Sequence, residues 1–331
     1  MTYAARLKQA VVLALAFAFA ASAPAQTLPK VGGYPDKPIR FVSPFPPGGG
    51  NDTATRIVTQ KLVELTGQAV IVENRGGAGG NLGAELAAKS PADGYTAFTG
   101  QVSIMAVNPA LYARPGFDPL KDFIPLTQIN AAPLVIVVAA TSPFKTFQDL
   151  AAGSKAKPGS VTFATPGNGT LSHLLGEVLK QEAGMDMVHV PYKGAGTAIT
   201  DLLGGQVEVM ITSTSSVAGF VQNGKMRALA VTSPRRLGVF KDVPMLSELG
   251  YRNMVFDDWY GFFLPAGTPK ERVDYLAQAL IRALNAPEVA TRIRDGGSEV
   301  VANTPAQFAE VLRADMARWA QAVKLTGLRL D

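Results

Sequence analysis

The sequence predicts an α/β protein, and three observations support that fold class. Short apolar runs alternate along the chain with longer segments in which apolar residues recur at helical spacing. Such alternation is typical of strands joined by helices, in a mainly parallel sheet. Of the 331 residues, 47% are hydrophobic and 17% are charged, which indicates a globular chain with a large core. The length suggests roughly two domains.

The composition excludes several classes of site. The chain has no Cys and two His, so disulfides, thiolate metal sites, Cys nucleophiles and His-rich metal sites are ruled out. The formal net charge is +5, and the basic residues are not clustered, which gives little support to nucleic-acid binding. We therefore expect no metal and no cofactor.

The first 25 residues have the pattern of a secretory signal peptide. Arg6 and Lys8 precede an apolar run over residues 10–21, and Ala23-Pro24-Ala25 supplies a small-x-small cleavage site. The alternative, an N-terminal membrane anchor, is disfavoured because the run is shorter than the roughly 20 residues that span a bilayer. The mature protein is therefore expected to be soluble and exported, in a bacterium to the periplasm.

The N-terminal half alternates strands and helices. Residues 39–42 predict a strand, and a helix follows from Asn51 to the stop at Gly67. Further strands are predicted at residues 70–72, 95–99, 134–139 and 161–164, with helices around Leu82 and Leu86, over 146–152 and over 171–179.

The second half begins in the same style and then changes. Short strands are predicted at residues 188–190, 207–211 and 228–231. Amphipathic helices are predicted over 271–284, 287–294 and 305–325, with little strand between them.

Two Gly-rich turns that open helices are the candidate binding elements. Residues 41–53 and 163–170 each run from a strand, through Pro and Gly, into a helix start. Glycine allows a close approach of ligand and backbone. The first N–H groups of a helix lack intrahelical partners and carry the positive end of its dipole, so they bind an anion without Lys or Arg. The alternative is that both are ordinary strand–helix turns, in which Asp52 is a helix cap.

No catalytic constellation emerges from the sequence. There is no Gly-x-Ser-x-Gly elbow, and Gly77 to Gly80 lack the third glycine of a dinucleotide fingerprint. His173 at the second helix start either contacts a ligand or packs against the helix. An exported hydrolase is therefore disfavoured for want of a nucleophile and base.

Eight ordered motifs across the mature chain resemble the Bug family, the TctC-like solute-binding proteins of tripartite tricarboxylate transporters. The motifs are Tyr-Pro-Asp-Lys-Pro-Ile-Arg (34–40), Pro-Gly-Gly-Gly (47–50), Val-Glu-Asn-Arg-Gly-Gly-Ala-Gly-Gly-Asn (72–81), Asp-Gly-Tyr-Thr (93–96), His-Val-Pro-Tyr-Lys-Gly (189–194), Asp-Leu-Leu-Gly-Gly-Gln-Val (201–207), Arg-Ala-Leu-Ala-Val-Thr (227–232) and Pro-Ala-Gly-Thr-Pro (265–269).

This resemblance implies a type II periplasmic binding protein with a ligand cleft between two α/β domains joined by two crossing strands. Residues 34–127 and 251–331 would form domain I, and residues 128–250 domain II. It also implies a small carboxylate ligand, held between the two Gly-rich loops as the lobes close. The implied site residues are Phe45, Gly48, Gly49, Gly50, Asn51, Asp52, Thr53, Gln101, Ser103, Thr165, Asn168, Gly169, Thr170, His173, Thr212, Ser213 and Asp258.

The sequence departs from the family pattern at two places and leaves the ligand open. Residues 211–214 read Ile-Thr-Ser-Thr, and Asp257-Asp258 precede Trp259-Tyr260. A cleft-facing Asp258 would suit an amine or hydroxyl and repel a second carboxylate, whereas a solvated Asp258 would have no such role. Phe45 and the two aromatic residues favour an aromatic acid, and the hydroxyl-rich segment favours a hydroxylated or amino acid.

The expected partners are this ligand and the membrane permease of a tripartite transporter. The alternative is a sensor that passes its closed form to a membrane signalling protein. In either case we expect a monomer.

Overall fold

The computed structural model describes residues 27–252, 254–326 and 329–330, so the predicted signal peptide lies outside the described residues. Their strands are β1 (Ile39–Ser43), β2 (Val70–Asn74), β3 (Thr96–Gln101), β4 (Phe123–Ala139), β5 (Val161–Thr165), β6 (Met187–Pro191), β7 (Val209–Ser213), β8 (Met226–Val231), β9 (Asp257–Pro265) and β10 (Glu299–Val300). Their α-helices are α1 (Gly50–Thr66), α2 (Asn81–Ala88), α3 (Asn108–Leu111), α4 (Phe147–Ala156), α5 (Leu171–Glu182), α6 (Ala195–Leu203), α7 (Thr214–Gln222), α8 (Lys270–Leu284), α9 (Pro287–Asp295) and α10 (Pro305–Thr326).

The strands form two sheets that share the long strand β4. One sheet has the order β2-β1-β3-β9-β4, and the other continues β4-β7-β5-β6, with β8 also paired to β4. The first part of β4, up to Pro133, pairs with β9, and the part from Leu134 onward pairs with β7 and β8. The chain therefore folds as two α/β domains, and β4 crosses between their sheets. The predicted domain boundaries at residues 127 and 250 stay a prediction.

The α/β class is confirmed, but the expectation of mainly parallel strands is wrong at the centre. β1 pairs in parallel with β2 and β3, and β5 with β6 and β7. The central pairs of β3 with β9, and of β4 with β7, β8 and β9, are antiparallel. The long strand β4, which passes between the domains, and the long strand β9 run antiparallel to these neighbours, and local sequence does not encode that pairing.

The sequence patterns also predict too little strand in the two long central strands, β4 and β9. The predicted strand over residues 134–139 is the second part of β4, and β9 lies in a segment for which no strand was predicted. After its first residue, β9 is buried throughout. A strand that is buried on both faces lacks the alternation of polar and apolar residues by which strands are recognised.

The predicted local signals otherwise agree with the elements. Gly67 ends α1 in the left-handed conformation with φ of 66°. The apolar face of α1, with Ile57, Val58 and Leu62, lies in one core cluster with residues of α8 such as Leu276. The long amphipathic helices thus pack their apolar faces into the core. Within the described residues, no helix is long and apolar enough to cross a membrane.

Candidate functional site

A narrow cavity lies where strand ends and helix starts of the two domains meet. The space that the centre of a water molecule can occupy in it is about 30 Å³. Its lining residues are Phe45, Gly49, Gly50, Asn51, Gln101, Pro166, Thr170, Leu171, Ser172, Ala195, Thr212, Ser213, Ser216, Asp258 and Tyr260. Both Gly-rich turns predicted from the sequence contribute to this lining.

The first Gly-rich turn brings the start of α1 against the other domain. Its N-cap is Gly49, which supplies no side-chain cap, and Gly48 has φ of 90°. The N–H of Gly50 donates to Ser216 Oγ at 3.1 Å. A Cβ at Gly50 would lie 2.7 Å from Tyr260 Oη, so the close contact requires glycine.

The polar residues after Gly50 are divided between the cavity and the scaffold. Asn51 lines the cavity, accepting from Ser43 Oγ at 3.3 Å and donating to the Thr99 carbonyl at 3.4 Å. Thr53 is exposed. The first turn of α1 therefore presents backbone and one amide to the cavity.

Asp52 belongs to an internal network outside the cavity lining. Its carboxylate accepts from the N–H of Gly48 at 3.1 Å, from Arg56 Nε at 3.0 Å and from Asn74 Nδ2 at 2.8 Å. Burial opposes ionisation, but the hydrogen bonds from Arg56, Asn74 and Gly48 outweigh it and lower the pKa of Asp52. This ionised carboxylate therefore stabilises the Gly-rich turn from the side that faces away from the cavity.

The second Gly-rich turn is stabilised by its own side chains. Thr170 is the N-cap of α5, where its hydroxyl accepts from the N–H of His173 at 3.3 Å and donates to the Gly167 carbonyl at 2.8 Å. The N–H of Gly169 donates to His173 Nδ1 at 3.4 Å. Thr165 is fully buried beneath the turn. Thr170 lines the cavity, whereas the other residues support the turn.

His173 stacks on His189 with a centroid distance of 4.1 Å, and Thr165 Oγ1 lies 2.7 Å from His189 Nε2. Burial lowers the pKa of His189 to about 3, with the neighbouring His173 adding to the effect. Burial also lowers the pKa of His173. Both rings are therefore neutral near pH 7 and support the second Gly-rich turn from below, which agrees with the packing alternative for His173.

Two further helix starts complete the cavity; sequence analysis missed the start of α6, and at the start of α7 it found Ser213 but missed Ser216. Ala195 begins α6, whose N-cap Gly194 has φ of 117° and no side-chain cap. Ser216 lies in the first turn of α7, after the N-cap Ser213. The available signals were the glycine before Ala195 and the run of hydroxyl residues over 212–216. The helix starts of α1, α5, α6 and α7 thus converge on one cavity.

The floor of the cavity is formed by the ends of β7 and β9. Ser213 Oγ lies 2.9 Å from Ser215 Oγ, which lies 3.2 Å from Tyr260 Oη. Thr212 and Asp258 line the cavity beside this chain of hydroxyls. Burial, with the Asp257 carboxyl adding to it, raises the pKa of Asp258 well above its usual range.

Nine of the predicted site residues line the cavity and eight do not. Those in the lining are Phe45, Gly49, Gly50, Asn51, Gln101, Thr170, Thr212, Ser213 and Asp258. Those outside it are Gly48, Asp52, Thr53, Ser103, Thr165, Asn168, Gly169 and His173. Ser103 accepts from Gln101 Nε2 at 2.6 Å and so orients a lining residue. Asn168 lines a neighbouring cavity, which shares Phe45 and Pro166 with the first.

The charge at the cavity comes from helix starts and not from cationic side chains. Among the described residues that line it, none is Lys, Arg or His. Each helix start carries the equivalent of about half a positive charge. Four converging helix starts therefore favour an anion. Trp259 is not in the lining, because its Nε1 donates to Asp315 at 2.6 Å on the other side of β9.

The comparisons with known proteins agree with this architecture. The sequence profile of the Tripartite tricarboxylate transporter family receptor, TctC, matches residues 54–328. Protein BugT of Bordetella pertussis (strain Tohama I) is 36% identical over 298 residues, which cover 90% of this chain and 91% of BugT.

Two solved structures are similar over nearly their whole length. The periplasmic binding protein BugD is 32% identical with a TM-score of 0.86, covering 89% of this chain and 99% of that one. The R. palustris protein Rpa4515, solved with adipate, is 30% identical with a TM-score of 0.86 and the same coverage. These relatives are solute-binding proteins and not enzymes. The chain thus belongs to the TctC family of tripartite tricarboxylate transporter receptors, the Bug-type periplasmic solute-binding proteins.

Proposed function

We propose that this protein captures a small carboxylate in the cavity between its two domains. The observation that carries the proposal is the convergence of the α1, α5, α6 and α7 helix starts on a cavity lined by no cationic side chain among the described residues. A carboxylate there would accept hydrogen bonds from backbone N–H groups of the Gly-rich turns. The adipate in Rpa4515 supports this ligand class.

A few hydrogen bonds are enough to bind the carboxylate with micromolar affinity. A hydrogen bond to a charged group contributes about 1.5–3 kcal/mol, and micromolar binding corresponds to about 8 kcal/mol. Several backbone N–H contacts, together with burial of the ligand's apolar part against Phe45 and Leu171, meet that requirement.

The domains close on the ligand as two lobes in this proposal. Contacts that cross the cleft support it, because the N–H of Gly50 donates to Ser216 Oγ at 3.1 Å and Tyr112 Oη donates to the Asn168 carbonyl at 3.3 Å. Opening would break these contacts. The chain would bend at two places, in β4 between Pro133 and Leu134 and in the segment between β8 and β9. Closure excludes water and strengthens the remaining hydrogen bonds.

We further propose that the protein acts as a monomer in the periplasm and delivers its ligand to the membrane permease of a tripartite transporter. The family match supports the transporter partner, and the pattern of residues 1–25 supports export. No cofactor takes part.

Thermal melting of residues 26–331 with a panel of mono-, di- and aromatic carboxylates, their methyl esters and their amides tests the ligand class. A ligand at a hundredfold over its dissociation constant adds about 2.7 kcal/mol of stability, which raises Tm by several degrees. The protein is first unfolded and refolded to remove any co-purified ligand. We expect a rise with an acid and none with its ester. A rise with neutral compounds alone would refute the carboxylate proposal.

A further inference from the structure

Two polar atoms in the cavity floor have no hydrogen-bond partner within the described part of the chain. These are Asp258 Oδ1 and Thr212 Oγ1. Asp258 is 5% exposed and Thr212 is fully buried, and both line the cavity. Buried polar groups are normally paired, because an unpaired one costs about 1–3 kcal/mol. Two such atoms in one cavity indicate a ligand group that both would bind.

The other polar groups of the floor are already paired, which makes these two distinct. Ser213, Ser215 and Tyr260 form a continuous chain of hydroxyl contacts, and Gln101 donates to Ser103. Asp258 lies opposite Ala132 of β4, and Thr212 lies opposite Val135. The two residues therefore flank the point where β4 passes from one sheet to the other.

We propose that the ligand carries a protonated amine beside its carboxylate, and that Asp258 and Thr212 hold this amine at the base of the cleft. The inference rests on the proposed function and specifies its ligand class as an amino acid or a related amino carboxylate. An ammonium group supplies three donors, so it can donate hydrogen bonds to the carboxylate oxygen of Asp258 and to the hydroxyl oxygen of Thr212 at the same time.

The balance of charge favours an ammonium over the other candidate groups. The helix starts offset the ligand carboxylate, and Asp258 offsets the ammonium, so both ligand charges are matched in a buried site. A second carboxylate would face the carboxyl of Asp258. A ligand hydroxyl has a single donor, so it would donate to only one of the two unpaired oxygens and would give Asp258 no reason to ionise.

Binding of the amine would be linked to proton release. Burial and Asp257 raise the pKa of Asp258 in the free protein, and an adjacent ammonium would lower that pKa, so the acid would ionise on binding. The titratable groups that couple to Asp258 lie on its own strand and are Asp257 and Tyr260. The lining residues of α1, β3, α5, β7 and α7 are uncharged, including Asn51 and Gln101.

The test is a calorimetric titration with acids that share a carbon skeleton and differ in one group. One set is propionate, lactate and alanine; the other is butyrate, 4-hydroxybutyrate, 4-aminobutyrate and succinate; the remaining protein amino acids complete the panel. We expect an amine-bearing acid to bind at least about tenfold more tightly than its matched hydrogen, hydroxyl and carboxylate partners. Titrations in buffers of different ionisation enthalpy should show proton release.

Two variants and a matched control connect the preference to these residues. Asp258→Asn keeps the size of the side chain, and Thr212→Val removes the hydroxyl. Asp258→Asn should reduce the preference for the amine by at least about tenfold and abolish proton release, and Thr212→Val should reduce it less. Asp257→Asn removes the neighbouring carboxyl, which lies outside the cavity lining, and should retain the preference.

The outcomes separate this inference from the proposed function. Tight binding of a plain or second-carboxylate acid, with no amino acid bound, would overturn the amine and leave carboxylate capture standing. A preference for the hydroxyl member, or an amine preference that survives in Asp258→Asn, would overturn the role of Asp258. Failure of every carboxylate on the panel would overturn both proposals.

Discussion

The two Gly-rich turns look alike in sequence, yet the N–H groups at their helix starts have different hydrogen-bond partners. The start of α5 is capped by Thr170, and His173 Nδ1 accepts from the N–H of Gly169. The start of α1 has a glycine N-cap with no side-chain cap, and the N–H of Gly50 reaches Ser216 in the other domain. The helix start of the second turn is therefore capped by side chains of its own helix, whereas that of the first uses a side chain across the cleft.

This difference shows that an anion site cannot be recognised from glycine and a helix start alone. Side chains that cap a helix use the same N–H groups that a ligand needs. No side chain caps the start of α1, so its N–H groups can bind the other domain and a ligand in the cavity. We therefore expect substitutions at α1 to affect ligand affinity and substitutions at α5 to affect mainly stability.

The largest expected effect is at Gly50. In Gly50→Ala, the added methyl would lie 2.7 Å from Tyr260 Oη and 3.0 Å from Ser216 Oγ, so the domains could not close fully. Overpacking of this kind costs about 1–3 kcal/mol, which weakens affinity for the best panel acid by about tenfold to a hundredfold. Calorimetric titration measures the loss.

Gly219→Ala is the matched control for that substitution. Gly219 lies within α7, and an added Cβ there meets no atom within 4 Å. Its affinity should equal that of the wild type. Equal affinity in Gly50→Ala would show that the contact between α1 and α7 is not part of the binding state.

A smaller effect is expected at Thr170. Thr170→Ala removes the cap of α5, which costs about 1 kcal/mol of unfolding free energy and lowers Tm by about 2–4 °C. Thr53→Ala, at an exposed position in the first turn of α1, should change the unfolding free energy by less than about 0.5 kcal/mol. Equal losses in the two variants, measured by thermal melting, would contradict the proposed difference between the helix starts.

A further effect, confined to low pH, concerns acid stability and the two stacked histidines. Since burial lowers the pKa of His189 to about 3 from the ordinary 6.5, the unfolded chain binds more protons than the folded protein between these values. Stability from this pair is thus full above pH 6.5 and falls as the pH drops toward about 3. His189→Gln should show a shallower fall of Tm over that range. Identical pH profiles would show that the pair does not titrate on unfolding.

Local chemistry made much of the fold predictable. The stop at Gly67 and the start of α4 beside Thr146 follow from capping preferences that act within a few residues. The long strands β4 and β9 were underestimated, since their burial on both faces removes the polar alternation. The antiparallel centre depends on pairing between strands that are far apart in the chain, which no local pattern encodes.

The site was predictable in outline, and the family resemblance also supplied Thr212, Ser213 and Asp258 of its floor. The two Gly-rich turns were identified because strand, glycine and helix start follow one another in sequence. Ala195 and Ser216 were missed because their helices are short and rich in small residues. Sequence left Asp258 open between the cleft and solvent, and only the pairing of β9 with β4 places it in the cavity.

The most direct test of the central claim is a calorimetric titration of the refolded mature protein with the best panel acid and with its primary amide. The amide preserves shape and removes the negative charge, so it isolates what the converging helix starts recognise. We expect the acid to bind at least about a hundredfold more tightly than the amide, a difference of about 2.7 kcal/mol. Equal affinities would contradict an anion site formed by helix starts.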